Sequence, residues 1–252
     1  MTRATPAQIL ASTGHRPWPV PDRGWIQRQT WNDFLFCHWP VAVDAIRARV
    51  PAPLELDLWE GGAWLGIIPF HMTGVTLRGL PDLPWFSAFP ELNVRTYVTV
   101  GGRRGVYFLS LEAHNPLAVA MARAWYGLPY MRASMAWSRD GDAIEYRSQR
   151  THRGEPDAAY DARYRPYGEV TFAAPGTFEH WLTERYALYV VDPRDRIWQG
   201  DVHHTPWPLR SAEIEIRTNT MAAAHGLALP ADPPHVLYSP KVDVVVWSPR
   251  RV

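Results

Sequence analysis

Lysine is almost missing from this chain. Lys241 is the only one, so arginine supplies the other 25 of the 26 basic residues. Coding bias accounts for the ratio, but its chemical consequence stands: there is next to no supply of nucleophilic amines. Cysteine is as scarce. Cys37 stands alone, which excludes an intrachain disulfide and a cysteine-based zinc cluster. Net charge is also lacking: a formal +1 gives no field for steering nucleic acid or acidic membranes, so neither is expected as a partner. The N-terminal stretch has no apolar signal region, and no run approaches the length of a membrane span, so a soluble cytoplasmic location is the expectation. Walker and Rossmann glycine patterns, G-x-S-x-G, HExxH and His-x-His spacings are all absent. No cofactor is expected. His203-His204 does not restore a metal reading, because neighbours on a strand point to opposite faces.

What the chain does have is bulk: 252 residues, 46% hydrophobic, with 13 Trp and 24 Pro. That is enough for a large core, and the prolines favour a loop-rich β protein over a helical bundle. Residues 1–24 read as a surface arm. A short helix is expected over 41–50, stopped by Pro51. Strands are expected at 54–59, 63–70, 92–100, 106–113, 131–138, 143–151, 170–173, 188–191, 197–203, 212–218 and 242–247. Glu60-Gly61-Gly62, Gly101-Gly102-Arg103-Arg104 and Arg139-Asp140-Gly141-Asp142 mark three hairpins. Residues 81–90 read as an apolar loop that caps a core or lines a pocket mouth, 152–166 as a polar surface excursion, and Thr177 as the cap of a helix through Tyr186. With no repeat or linker, one mainly antiparallel α+β domain over 1–252 follows.

The stretch from Gly105 to Trp137 organises the rest. It reads as a strand, then a helix capped by Asn115 with Pro116 in its first turn, then a stop at Gly127 and Pro129, then a second strand from Tyr130. Such a turn aims the side chains that follow at whatever the sheet encloses.

Two segments resemble acetoacetate decarboxylase and its fold relatives. Asp44–Asp57 looks like that family's helix-Val-Pro-x-Pro-Leu-Glu segment. The family's Arg, followed six residues later by Pro and two lysines, falls on Arg123, Pro129, Tyr130 and Met131, and its active-site glutamate falls on Glu91. A closer resemblance is to the YqjF-like family of uncharacterised bacterial proteins. It is carried by Phe89–Val98, Leu128-Pro129-Tyr130, Thr183-Glu184-Arg185-Tyr186 and His203–Leu209. The resemblance implies a decarboxylase-like β-barrel or cone with a few flanking helices, and the relatives' habits make a homo-oligomer plausible. It does not imply Schiff-base decarboxylation, because a phenol cannot form the imine and Met131 carries no charge to tune one.

Alternation on the strand at 92–100 puts Glu91, Asn93, Arg95 and Tyr97 on one face. That suits a polar-lined cavity in which Arg95 grips a carboxylate or carbonyl oxygen; a solvent-facing strand or an internal Glu–Arg pair would give the same pattern. Glu112, beside aromatics, can serve as a general acid or base, or more simply pair with Arg123 or Arg132. Tyr130 can donate to an oxyanion or fill a defunct site. Arg123 near a helix C-terminus suits the helix dipole as well as a ligand, and His71 suits a hydrogen-bonded core position as well as a pocket.

Three functions remain open. One is a cofactor-free enzyme for a small oxo-acid or carbonyl compound, working by enolate-type lyase, hydratase or isomerase chemistry. The others are a non-catalytic binder of a small molecule and a structural protein whose pocket is filled.

Overall fold

The computed structural model describes residues 3–80, 87–114 and 127–252. The expected helix after Asn115, Arg123 within it, and most of the apolar loop at 81–90 lie outside the described residues. In chain order the strands are β1 (Gln27–Val41), β2 (Glu55–Leu56), β3 (Ala63–Leu77), β4 (Phe89–Val100), β5 (Arg103–Ala113), β6 (Tyr130–Asp140) and β7 (Ala143–Arg150). They continue with β8 (Ala159–Thr171), β9 (Ala187–Val191), β10 (Ile197–His204), β11 (Leu209–Asn219), β12 (His235–Val246) and β13 (Arg250–Arg251). Three short α-helices accompany them among the described residues: α1 (Pro6–Leu10), α2 (Val43–Arg47) and α3 (Phe178–Thr183). Thr5 and Thr177 cap α1 and α3, each accepting a backbone N–H with its hydroxyl.

This is an α+β fold dominated by one mainly antiparallel sheet, and the sheet closes on itself. One circuit runs β5-β6-β7-β8-β11-β12-β1-β3-β4 and returns to β5; a shorter one runs β5-β9-β10-β12-β1-β3-β4 and also returns to β5. The run β12-β1-β3-β4-β5 is therefore a wall shared by two rings, with both faces covered. Its side chains divide by alternation. Leu35, Cys37, Leu65, Ile67, Leu92 and Val94 join the core inside the larger ring, with Tyr146, Tyr160 and Tyr164 from β7 and β8. Phe34, Phe36, Phe70, Met72, Phe89 and Val244 face the smaller ring. Each such side chain, fully buried, stabilises the fold by about 1.5–3 kcal/mol.

Two close approaches shape the smaller ring. A Cβ at Gly105 would sit 2.6 Å from the Ala187 carbonyl oxygen, so glycine lets β5 meet β9. A Cβ at Gly66 would sit 2.8 Å from Nε2 of His38, so glycine there makes room for a histidine between strands.

The structure corrects several sequence expectations. β1 was not expected at all, and β12 begins seven residues earlier than the expected 242. Segments 54–59 and 63–70 do not form a hairpin: β2 is two residues long and pairs with β4, Glu55 opposite Thr99. The other two hairpins form, as β4–β5 and β6–β7. Half of the expected surface excursion at 152–166 is β8, whose Tyr160, Ala162 and Tyr164 are buried while Arg163 and Arg165 face out. The N-terminal arm also does more than lie over the surface. Ile9 of α1 is buried against Val245 and Trp247, and its carbonyl meets Nε2 of His203 at 3.0 Å.

Candidate active site

Register across the shared wall decides which polar groups meet. Directly opposed residues on antiparallel strands share a face. Trp31, Met72 and Phe89 thus form one row across β1, β3 and β4. Phe70, Glu91 and Ala113 form the next. Asn93, Leu111 and Tyr130 follow, through the parallel β5–β6 pair. His38, Gly66, Arg95 and Phe108 make the deepest row. All of these residues except Ala113, His38 and Gly66 line a cavity of about 180 Å³ inside the smaller ring, to which Glu91, Asn93, Arg95 and Tyr130 all contribute.

Glu91 is 2% exposed. Its carboxylate accepts a hydrogen bond from the Tyr130 hydroxyl at 2.9 Å, and its backbone carbonyl accepts one from Tyr146 at 2.6 Å. Burial pushes its pKa from the ordinary 4.5 up to about 8, against the smaller downward pull of the Tyr130 hydrogen bond. At neutral pH the group is mostly protonated, yet it ionises within reach of physiological conditions.

Arg95 is buried, and no carboxylate among the described residues lies within ion-pairing distance of it. Its Nη2 stands 3.5 Å from both the Tyr97 hydroxyl and the Leu182 carbonyl, its Nε has no partner, and its guanidinium lies 5.6 Å from the Phe36 ring centre. Asn93 Oδ1 is likewise buried without a donor. Tyr97 shares the face but sits past the floor of the cavity. Its hydroxyl meets His38 Nε2 at 2.6 Å and donates to the Leu182 carbonyl at 3.2 Å. Burial first, then Arg95, holds the His38 pKa well below its usual range, so that ring is neutral.

Besides Tyr97, two further expected residues are not in the cavity. Between Val94 and Arg95 the β4–β5 register slips by one, leaving Leu109 unopposed. This bulge turns Phe108 toward the cavity and sends Ser110 and Glu112 to the opposite face. There Glu112 meets Arg150 Nη2 at 2.5 Å, both side chains buried. Arg150, and not Arg132, is thus its partner among the described residues, which do not include Arg123. His71 alternates away from Phe70 and Met72 and stacks on Trp137 with ring centres 4.6 Å apart. Burial lowers its pKa.

Other cavity residues were not singled out from the sequence. Arg185 lines the floor, but Asp57 Oδ2 at 2.5 Å neutralises it. His204 Nδ1 donates to the Thr205 carbonyl at 2.7 Å, and its ring lies 5.0 Å from that of Trp207; both rings line the wall. The signal for them was present, since Arg185 and His204–Trp207 belong to the segments that carried the resemblance. Contributions from Phe89–Val98, Leu128–Tyr130, Thr183–Tyr186 and His203–Leu209 all converge on this one cavity. Lys241 does not line it. The lysine stands 3.4 Å from Asp243 in a separate groove beside α1. Among the described residues no three histidine, cysteine or carboxylate side chains cluster as a metal site. None of the described helices is long and apolar enough to cross a membrane.

Comparison with known proteins places the chain. In structure it is similar to the enduracididine biosynthesis enzyme MppR complexed with pyruvate, with a TM-score of 0.63 at 15% identity over 93% of each chain. It is also similar to acetoacetate decarboxylase from Legionella pneumophila, with a TM-score of 0.62 at 13% identity over 95% of this chain and 93% of that one. At such identities the likeness establishes a shared acetoacetate decarboxylase-like fold. In sequence the chain is 48% identical over 232 residues to the uncharacterised protein YqjF of Bacillus subtilis (strain 168), covering 92% of this chain and 95% of that protein. With residues 28–243 matching the DUF2071 family as well, the chain belongs to that family of uncharacterised conserved, YqjF-like proteins.

Proposed function

We propose that this protein is an enzyme that acts on a small oxo-acid or related carbonyl compound through an enolate, without an imine. The observation that carries this reading is the buried Glu91–Tyr130 pair at 2.9 Å, in the same cavity as an arginine with no counter-ion among the described residues. Ionised Glu91 takes a proton from the carbon next to the substrate carbonyl. The C–H electron pair becomes the new C=C bond, and the carbonyl oxygen becomes the enolate oxygen. The Tyr130 hydroxyl turns from Glu91 to that oxygen. Because its hydrogen bond lowers the Glu91 pKa, its departure makes the carboxylate more basic as it receives the proton. Arg95 binds a carboxylate or a second oxygen. Return of the proton to either end of the enolate, or loss of a β-hydroxyl as water, completes isomerase or lyase chemistry without a further reactant. The pyruvate complex of MppR, a fold neighbour, fits an oxo-acid as the ligand class.

The test is exchange of α-protons into D2O, followed by NMR over a panel of oxo-acids. A rate that rises with pH to a plateau above about 8 is expected. Glu91→Gln and Tyr130→Phe are expected to slow it by roughly 100-fold or more while ligand still binds. Incubation with acetoacetate and borohydride is expected to leave the mass of the protein unchanged. Exchange as fast in Glu91→Gln as in the wild type would overturn the mechanism, as would a trapped adduct on Lys241. Binding with no exchange in the wild type would make the protein a carrier or sensor.

A further inference from the structure

Four residues that line the cavity each hold a buried side-chain atom with no hydrogen-bond partner among the described residues: Arg95 Nε, Arg185 Nη2, Trp207 Nε1 and Asn93 Oδ1. The first three atoms are donors. A ligand with carbonyl and carboxylate oxygens has acceptors to match them, so they agree with an oxo-acid. Asn93 Oδ1 is an acceptor. A simple oxo-acid, ionised at neutral pH, has no N–H or O–H to direct at it.

The neighbours of Asn93 in the wall have no donor either. It stands between Ile68 on β3 and Leu111 on β5, both buried and apolar. A buried oxygen left in this way burdens the fold, and a leucine of similar shape would not. Its place is beside the reacting pair. Tyr130 follows in the same row, and Glu91 precedes Asn93 by two residues on the same face of β4, about 7 Å away at ~3.3 Å per residue. Tyr130 reaches across Ala113, the smallest side chain in the Glu91 row, to bring its hydroxyl 2.9 Å from the carboxylate. Two hydrogen bonds of ~2.8 Å, with two neighbouring oxygens of one ligand between them, bridge a gap of that size.

We infer that the ligand carries a hydroxyl group on the carbon next to its carbonyl, and that Asn93 is the specificity-determining residue that accepts this hydroxyl while Tyr130 holds the carbonyl oxygen. This rests on the enolate reading above and narrows its carbonyl compounds to α-hydroxy ones. A hydroxyl suits the place better than an amine. An α-amino group is largely protonated at neutral pH, where Glu91 is mostly uncharged and Arg95 shares the cavity. Ionised Glu91 takes the proton from the carbon that bears the hydroxyl. The C–H pair becomes the C=C bond, and the carbonyl oxygen becomes the enolate oxygen at Tyr130. The species formed is an enediolate whose remaining O–H is directed at Asn93. Return of the proton from Glu91 to the same carbon regenerates the ligand.

The test compares two pairs in which a hydroxyl replaces a methyl group: hydroxypyruvate against 2-oxobutanoate, and hydroxyacetone against butanone. Binding is titrated by NMR, and exchange of the protons next to the carbonyl is followed in D2O with the buffer rate subtracted. In both pairs the hydroxylated member is expected to bind about tenfold more tightly or better. Asn93→Leu and Asn93→Ala are each expected to abolish that preference, and Asn93→Leu is expected to melt no lower than the wild type. Equal binding within both pairs would overturn the inference, and exchange that is still lost in Glu91→Gln would then leave the enolate reading standing. A preference that survives both variants, in proteins that melt lower, would make Asn93 a structural residue and overturn its role. A preference that depends on Asn93, with no exchange in any of the four compounds, would keep the ligand class and overturn the enolate reading. No binding of any of the four would overturn both.

Discussion

Glu91→Gln should stabilise the protein in alkali and do nothing in acid. The carboxyl group has an ordinary pKa of 4.5 and a folded value of about 8. A raised folded value means that the native state prefers the protonated form. Stability is thus fully present below about 4.5, declines as pH rises through the window to about 8, and is level beyond it. The span of 3.5 units corresponds to roughly 5 kcal/mol at 1.36 kcal/mol per unit. Water entry and side-chain relaxation bring the realised loss below that ceiling. Even half of it is a large share of a typical domain stability of ~5–15 kcal/mol. Glutamine is close in shape to the protonated acid, and its amide oxygen can still accept from Tyr130. The assay is thermal melting of both proteins from pH 4.5 to 9. The melting temperatures should coincide near pH 5 and separate progressively toward pH 8.5, reaching several degrees at ~2–4 °C per kcal/mol. Curves that run parallel over the whole range would refute the burial argument, whatever the protein turns out to catalyse.

Two substitutions probe the supports. Gly66→Ala places a methyl group 2.8 Å from His38 Nε2 and 3.2 Å from Ile68 Cδ1. It should cost about 1–3 kcal/mol in urea unfolding, and a midpoint equal to that of the wild type would show that the row through His38 and Arg95 is not tightly packed. Glu112→Gln strands Arg150 as a buried, uncompensated cation and should cost about 3–5 kcal/mol. The paired change Glu112→Gln with Arg150→Met should recover most of that loss, and a double variant as unstable as the sum of the singles would refute the ion-pair account.

Legibility from the sequence follows burial. Strands exposed on one face alternate cleanly, and β6 and β7 with their Asp-Gly tip could be read from the residues alone. β1 could not. It lies in the wall shared by two rings, so Phe34 through Trp39 are buried without a break and show no period of two. Its register also slips between Asn32 and Cys37, and Asp33 has a left-handed φ of 49°. β8 failed for the opposite reason. Its alternation was present in Tyr160, Ala162 and Tyr164, but the intervening charges dominated its composition. The grouping of Glu91, Asn93 and Arg95 on one face was readable because β4 itself stays regular. The placement of Glu112 was not, because the extra residue sits on the partner strand, where no local pattern announces it.

Tyr130 ties the chemistry to the electrostatics. The resemblance aligns it with a lysine that carries an imine, and the structure holds its hydroxyl 2.9 Å from Glu91. An ammonium at that distance would keep Glu91 ionised, since an opposite charge within a few ångströms favours the charged form. A phenol offers one hydrogen bond and no charge. Desolvation then prevails, and the carboxyl rises to about 8. On the proposed reading, loss of the covalent route and appearance of a carboxylate poised near neutrality are two consequences of one replacement. Neither requires a rearrangement of the wall that holds them, because Glu91 and Tyr130 meet through strand register and not through a flexible loop.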